Sequence, residues 1–206
     1  MIWSRRRVLR TGGAMAGVSA AVLLVGTAGS YEATGPDAAS HPDNPQHPAG
    51  AGERGAATAK RISLLNLHTD EHLEIEYCRD GAYMPEAMSA IEVLLRDFRN
   101  GERHPMDPHL MDYLVEVART LGVDPAFSVI SGYRSPQTNA NLRQHSTGVA
   151  QHSLHMEGRA IDVRMKGVDC ATLAAHAIDM KRGGVGYYRA SDFVHMDTGP
   201  FRTWKG

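Results

Sequence analysis

The feature that most limits what this chain can fold into is a break in composition near residue 60. Residues 29–60 are built of Gly, Pro, Ala, Ser, Asp and His, with almost no large apolar side chain. Such a stretch cannot bury enough surface to offset its ordering entropy and reads as a disordered linker. His41 and His47 lie beside prolines within it and read as solvated groups. A hydrophobic core is thereby confined to residues 61–206, enough chain for one ordinary domain.

Residues 1–28 have a different character. Ser4-Arg5-Arg6-Arg7-Val8-Leu9-Arg10 is followed by a weakly apolar run over residues 11–26 and small residues near Ala28. A basic start, a short apolar centre and a small-residue end are the layout of a cleaved export signal. The run is shorter and richer in Gly and Ala than the roughly 20 apolar residues of a membrane-spanning helix, so the mature form is expected to lack an integral membrane domain. The Arg5-Arg6 pair resembles the twin-arginine motif, which makes the twin-arginine export machinery an expected partner. An ordinary secretion signal with a basic head is the alternative. No cysteine stands near residue 28 to carry a lipid anchor.

Charge and cysteine content exclude several classes. The full chain carries a net charge of −1; loss of residues 1–28 removes four arginines and no acid, leaving 18 basic against 23 acidic residues, a net of −5. That balance argues against a nucleic-acid binder. Two cysteines, Cys78 and Cys170, are too few for a disulfide-dense scaffold or a four-cysteine zinc site. In an exported protein they could pair, with free buried thiols as the alternative.

Within residues 61–206 the patterning predicts strands at 61–68 and 72–78 around the turn-like Thr69-Asp70-Glu71. A helix follows over 85–98, with Ala87, Ile91, Leu94, Leu95 and Phe98 on one stripe. A second runs over 108–121, capped by Asp107 and ended by Gly122. A short strand at 127–131, a polar helix at 137–144 opened by Pro136, a strand at 160–164, a helix capped by Asp169 and running to about 180, and strands at 184–188 and 193–197 complete the domain. The expected class is α+β, with a small antiparallel sheet and packed helices.

Three segments concentrate the chemistry. In Ser153-Leu154-His155-Met156-Glu157-Gly158-Arg159-Ala160-Ile161-Asp162, a glycine turn can fold His155 and Asp162 onto one cation, with Asp162 on a defined face of a strand. In Asp192-Phe193-Val194-His195-Met196-Asp197, His195 is bracketed by apolar residues that would hold its ring by packing. Two histidines and a carboxylate are the protein ligands of a catalytic zinc site, which keeps its fourth position open. In Ser131-Gly132-Tyr133-Arg134-Ser135-Pro136, Arg134 stands at a strand end before a helix, where a guanidinium can face an oxyanion. Asp197 shares the face of His195 and is a candidate to orient a ligand histidine. Glu157 reads as solvent-facing, and Trp204 as closing the core in preference to stacking on a substrate.

Taken together, these three strings resemble the zinc D-Ala-D-Ala metallopeptidase superfamily, and with the export signal and the strand pair at 61–77 they are most similar to its murein endopeptidase K branch. The resemblance spans about residues 61–206. It implies the hedgehog/DD-peptidase fold, Zn²⁺ bound by His155, Asp162 and His195, and an exported protein of the periplasmic or cell-wall space. The implied activity is hydrolysis of peptide bonds in peptidoglycan stem peptides or cross-links by metal-activated water, as an endopeptidase rather than a carboxypeptidase. Arg134 is then expected at the substrate carbonyl oxygen. Asp192 is expected as the catalytic base, shorter than the glutamate many relatives carry there. Ser153 is expected to line the substrate pocket, with His152 beside it as a substrate contact or, alternatively, a solvent-facing histidine. A non-catalytic peptidoglycan- or metal-binding module on the same fold is the competing class, and a cell-wall amidase acting at another bond is a third.

Overall fold

The computed structural model describes residues 58–145 and 148–206. The expected export signal and nearly all of the expected linker lie outside the described residues. In chain order the elements are β1 (Ala59–Asn66), β2 (His72–Arg79), β3 (Ala82–Tyr83), α1 (Pro85–Leu94), α2 (Pro108–Leu121), β4 (Ala126–Ser131), α3 (Pro136–His145), a 3₁₀ turn (Leu154–Glu157), β5 (Ala160–Met165), α4 (Cys170–Asp179), β6 (Gly184–Tyr188), β7 (Phe193–Asp197) and β8 (Arg202–Lys205). Among the described residues no helix is long and apolar enough to cross a membrane.

The α+β class is as expected, but the sheet is larger and less uniform than a small antiparallel one. Eight strands form one sheet in the order β3-β2-β1-β4-β5-β7-β6-β8. β1 and β4 run parallel, as do β6 and β8; the other pairings are antiparallel. Parallel neighbours need a long crossover, and α1 with α2 supplies it between β1 and β4. Neither β3 nor β8 is visible in the sequence pattern, because both are too short to show alternation. β1 begins slightly ahead of the expected Arg61.

Alternate strand residues build the core. Ile62, Leu64, Phe127, Val129, Val163, Val185, Val194 and Met196 form one buried cluster with Leu110, Leu114 and Val117 of α2 and with Leu173 and Ala177 of α4. Burying a side chain of this kind contributes roughly 1.5–3 kcal/mol. In an extended strand the residues between them must point to the other side. On β5 and β7 those residues are Asp162, His195 and Asp197, so the packing of Val163, Val194 and Met196 decides where the polar residues face.

α2 starts as its sequence predicts: the Asp107 carboxylate accepts from the His109 N–H at 2.9 Å, and Pro108 occupies the first turn. α1 instead ends at Leu94, short of the expected Phe98. Past it, Leu95 accepts from the Tyr133 N–H at 2.8 Å, and the fully buried Asp97 carboxylate accepts from the Ser135 N–H at 3.0 Å. Those two bonds draw the chain out of the helix and fix the loop that carries Arg134. Cys78 and Cys170 are both buried and free, on β2 and at the start of α4, so of the two alternatives the structure has free thiols.

Candidate metal centre

The turn at Gly158 brings the first two groups together. Its φ of +65° is left-handed, and a Cβ there would lie 2.0 Å from the Pro105 carbonyl oxygen, so no other residue fits without displacing backbone. The chain passes from the 3₁₀ turn carrying His155 straight into β5 carrying Asp162. Register adds the third group, because Asp162 pairs directly with His195 on β7. Directly paired residues of neighbouring strands point to the same side.

His155, Asp162 and His195 are all buried and converge. His155 Nε2 lies 3.2 Å from His195 Nδ1 and 3.3 Å from Asp162 Oδ1, and His195 Nδ1 lies 2.9 Å from the same oxygen. Each remaining imidazole nitrogen is engaged. His155 Nδ1 lies 2.7 Å from the Gly132 carbonyl oxygen, which can only accept, so that nitrogen carries the proton and Nε2 its lone pair. His195 Nε2 lies 2.9 Å from Asp197 Oδ2, which leaves the His195 lone pair on Nδ1. Deprotonated, His155 Nε2, His195 Nδ1 and Asp162 Oδ1 aim three lone pairs at one point, which holds together only around a shared proton or a cation. Tetrahedral zinc with bonds of about 2.0–2.1 Å would set its donors about 3.3 Å apart, close to the spacing found.

Charge in the site is consistent with that. Burial opposes ionisation of Asp162, yet the charge of His155 and hydrogen bonds from both histidines hold its carboxyl well below the usual range. Burial alone would lower His195, but its contacts with Asp162 and Asp197 push it up to about 9. His155, driven by burial, is lowered. The two carboxylates retain a proton on His195, and it is that proton which a divalent cation would displace. Asp197 is fully buried and accepts from Arg202 at 2.7 and 3.1 Å and from the Gly184 and Gly199 N–H groups at 3.0 and 2.8 Å. His195 is therefore oriented by a carboxylate that is itself clamped on several sides.

A cleft of about 360 Å³ opens over the triad. Arg134 lines it, with Nη2 3.6 Å from Asp162 Oδ2, and its buried Nε has no hydrogen-bond partner. Burial lowers the Arg134 pKa, and Asp162 opposes that shift. Ser153 is buried in the cleft wall, where its hydroxyl caps no helix N–H. His152 lines the cleft from an exposed position.

Asp192 is not brought to the triad. It lies in the turn just before β7 with a left-handed φ of +52°, so strand alternation does not set its direction. Its Oδ2 lies 3.5 Å from Arg164 Nε, and it contacts Cys170 at the start of α4. Asp192 is not among the residues that line the cleft, so the structure does not bring the expected base to the triad. Trp204 also departs from its expected place: it lines the cleft with its ring centroid 5.1 Å from that of His195. Tyr188, Phe193 and Arg202 complete a wall that the motifs did not reveal. The alternation of Gly186-x-Tyr188 and Phe193-x-His195-x-Asp197 held a signal for part of it, but the pairing of β8 with β6 had none.

A family model described as Peptidoglycan L,D-endopeptidase MepK matches residues 54–204. The chain belongs to this peptidase family. Within the family, it is 41% identical over 146 residues to a probable peptidoglycan L,D-endopeptidase MepK of Haemophilus influenzae, covering 70% of this chain and 78% of the relative. The Escherichia coli K12 and Shigella flexneri proteins, both named peptidoglycan L,D-endopeptidase MepK, are each 40% identical over 143 residues, covering 69% of this chain and 79% of theirs. No solved structure gives a significant match.

Proposed function

We propose that this protein is a zinc-dependent peptidoglycan endopeptidase that hydrolyses L,D peptide bonds in stem-peptide cross-links. The observation that carries the reading is the convergence of the His155, His195 and Asp162 donor atoms, with every other imidazole nitrogen already engaged. A donor set of two nitrogens and one oxygen suits zinc. The names of the family relatives support the substrate and the L,D bond. A zinc ion bound there would polarise the scissile carbonyl and make water acidic enough to ionise near neutral pH.

The chain's own groups supply the rest. Arg134 lines the cleft with its guanidinium beside Asp162, and is assigned to the carbonyl oxygen as it gains charge. One preorganised donor of this kind lowers the reaction barrier by roughly 3–4 kcal/mol. Ser153 and His152 line the same cleft and are assigned to substrate contact. Asp192 takes no part. Action on peptidoglycan agrees with a protein exported through the twin-arginine route, with residues 1–28 as its signal and residues 29–60 as a linker.

Incubating the purified protein with cross-linked muropeptides, with and without chelator, tests the reading. Mass analysis should show cleavage of the L,D cross-link, abolished by chelation and restored by zinc. His155→Ala and His195→Ala should each lose both stoichiometric metal and cleavage. A metal-loaded protein that binds muropeptides without cutting them would establish the non-catalytic module instead, and products severed between sugar and peptide would establish an amidase.

A further inference from the structure

One row of the sheet runs through the site. Asp162 on β5 pairs with His195 on β7, His195 with Gly186 on β6, and Gly186 with Trp204 on β8. Paired residues share a face, so Asp162, His195 and Trp204 project to the same side. Gly186 leaves the space between them: a Cβ there would lie 2.4 Å from Trp204 Cε2. Through that gap the indole lies beside the His195 ring. Two residues further along β6, Tyr188 rises from the same face.

Trp204 Nε1 donates to the Tyr188 hydroxyl oxygen at 3.0 Å. The Tyr188 ring stacks on Phe193, its direct partner on β7, with centroids 4.5 Å apart and planes 14° apart. A phenol oxygen accepts through lone pairs and donates through one proton. Here the accepting side is engaged by Trp204, and among the described residues no acceptor is present for the proton. Tyr188 lines the same cleft as Arg134 and the triad. Ring, oxygen and strand are all fixed, while the donor is left unused.

We propose that Tyr188 is a catalytic residue whose hydroxyl, steadied by Trp204, donates a hydrogen bond to the scissile carbonyl oxygen as it gains charge, alongside Arg134. The proposal rests on the peptidase reading above. No proton is transferred and no bond to the enzyme forms; the contact strengthens as the oxygen becomes an oxyanion. Donation from a group already in place stabilises the transition state more than bound substrate.

The test compares wild type, Tyr188→Phe and Trp204→Phe, all metal-loaded, on one cross-linked muropeptide. A second readout is the Kd of a phosphinate analogue of the scissile bond, whose charged oxygens mimic the tetrahedral state. Tyr188→Phe retains the stacked ring and removes only the hydroxyl. It should lower kcat and kcat/KM together by about 10- to 100-fold, leave KM within about twofold and weaken the phosphinate by a similar factor. Bound metal should stay at wild-type stoichiometry. Trp204→Phe, which keeps an aromatic body but loses the N–H, should shift kcat in the same direction by about 3- to 10-fold. Unchanged kcat in Tyr188→Phe overturns the proposal, as does a rise in KM alone or a loss of metal. Inactivity of the wild type would instead remove the peptidase reading itself.

Discussion

At His195, one nitrogen faces the other triad groups and the other meets Asp197, and the two contacts carry different predictions. Asp197→Asn retains the shape of the side chain but exchanges a charged acceptor for a neutral amide that no longer matches Arg202. Replacing such an outer partner of a metal-binding histidine commonly costs 10–100-fold in metal affinity, so zinc titration against a competing chelator should show a loss on the order of 10-fold or more. Asp192→Asn should behave differently. Its carboxylate meets Arg164 and does not line the cleft, so turnover of a muropeptide should remain within about twofold of wild type, as for surface substitutions generally. Residue types and short spacings made His155, Asp162, His195 and Arg134 readable in the sequence. Asp192 stands in the turn before β7, where a motif position alone does not say which way the carboxylate points.

The elements explain which side chains could not be read. β5, β6 and β7 show apolar alternation, and from it follows the face on which Asp162 and His195 stand. β8 is only four residues long, and its partner β6 is separated from it by all of β7. Nothing local in the sequence announces that pairing, so the wall of Trp204, Arg202 and Tyr188 stayed hidden, and Trp204 read as a core residue. Similarly, the end of α1 depends on bonds made to residues far along the chain, which helical periodicity cannot report. Gly186 is where the β6–β8 packing can be tested. Gly186→Ala would place a methyl inside the indole and push Trp204 off His195. Tryptophan emission should then shift and muropeptide cleavage should fall by about 10-fold or more, while far-UV circular dichroism stays that of the folded sheet.

For the molecule as a whole, carboxylates away from the triad add to the response to acid. Burial opposes ionisation of Asp97, but Thr138 and the N–H groups of Ser135 and Arg99 hold its carboxyl below the usual range. Asp112 is likewise lowered, against burial, by bonds from Tyr83, Lys60 and Tyr77. A carboxyl whose folded pKa lies below its unfolded one contributes stability that is complete above the unfolded value, about 3.9, and is lost as pH falls through the folded value. Urea midpoints should therefore hold steady near neutrality and decline below about pH 4. Asp97→Asn should lower the midpoint at pH 7 and flatten its acid decline. Domain class and helix positions were legible because they follow from local pattern and capping. The mixed sheet was not, because parallel pairing depends on how distant segments meet.

The short strand β8 binds two parts of the site to one fate. Arg202 and Trp204 both ride on it, and it is joined to the rest of the sheet along one side only. Fraying begins at such margins, where opening costs far less than melting the interior. A brief detachment of four residues would free the carboxylate that steers His195 and withdraw the ring beside it in the same event. Warming should therefore silence the enzyme reversibly, several degrees before the core gives way.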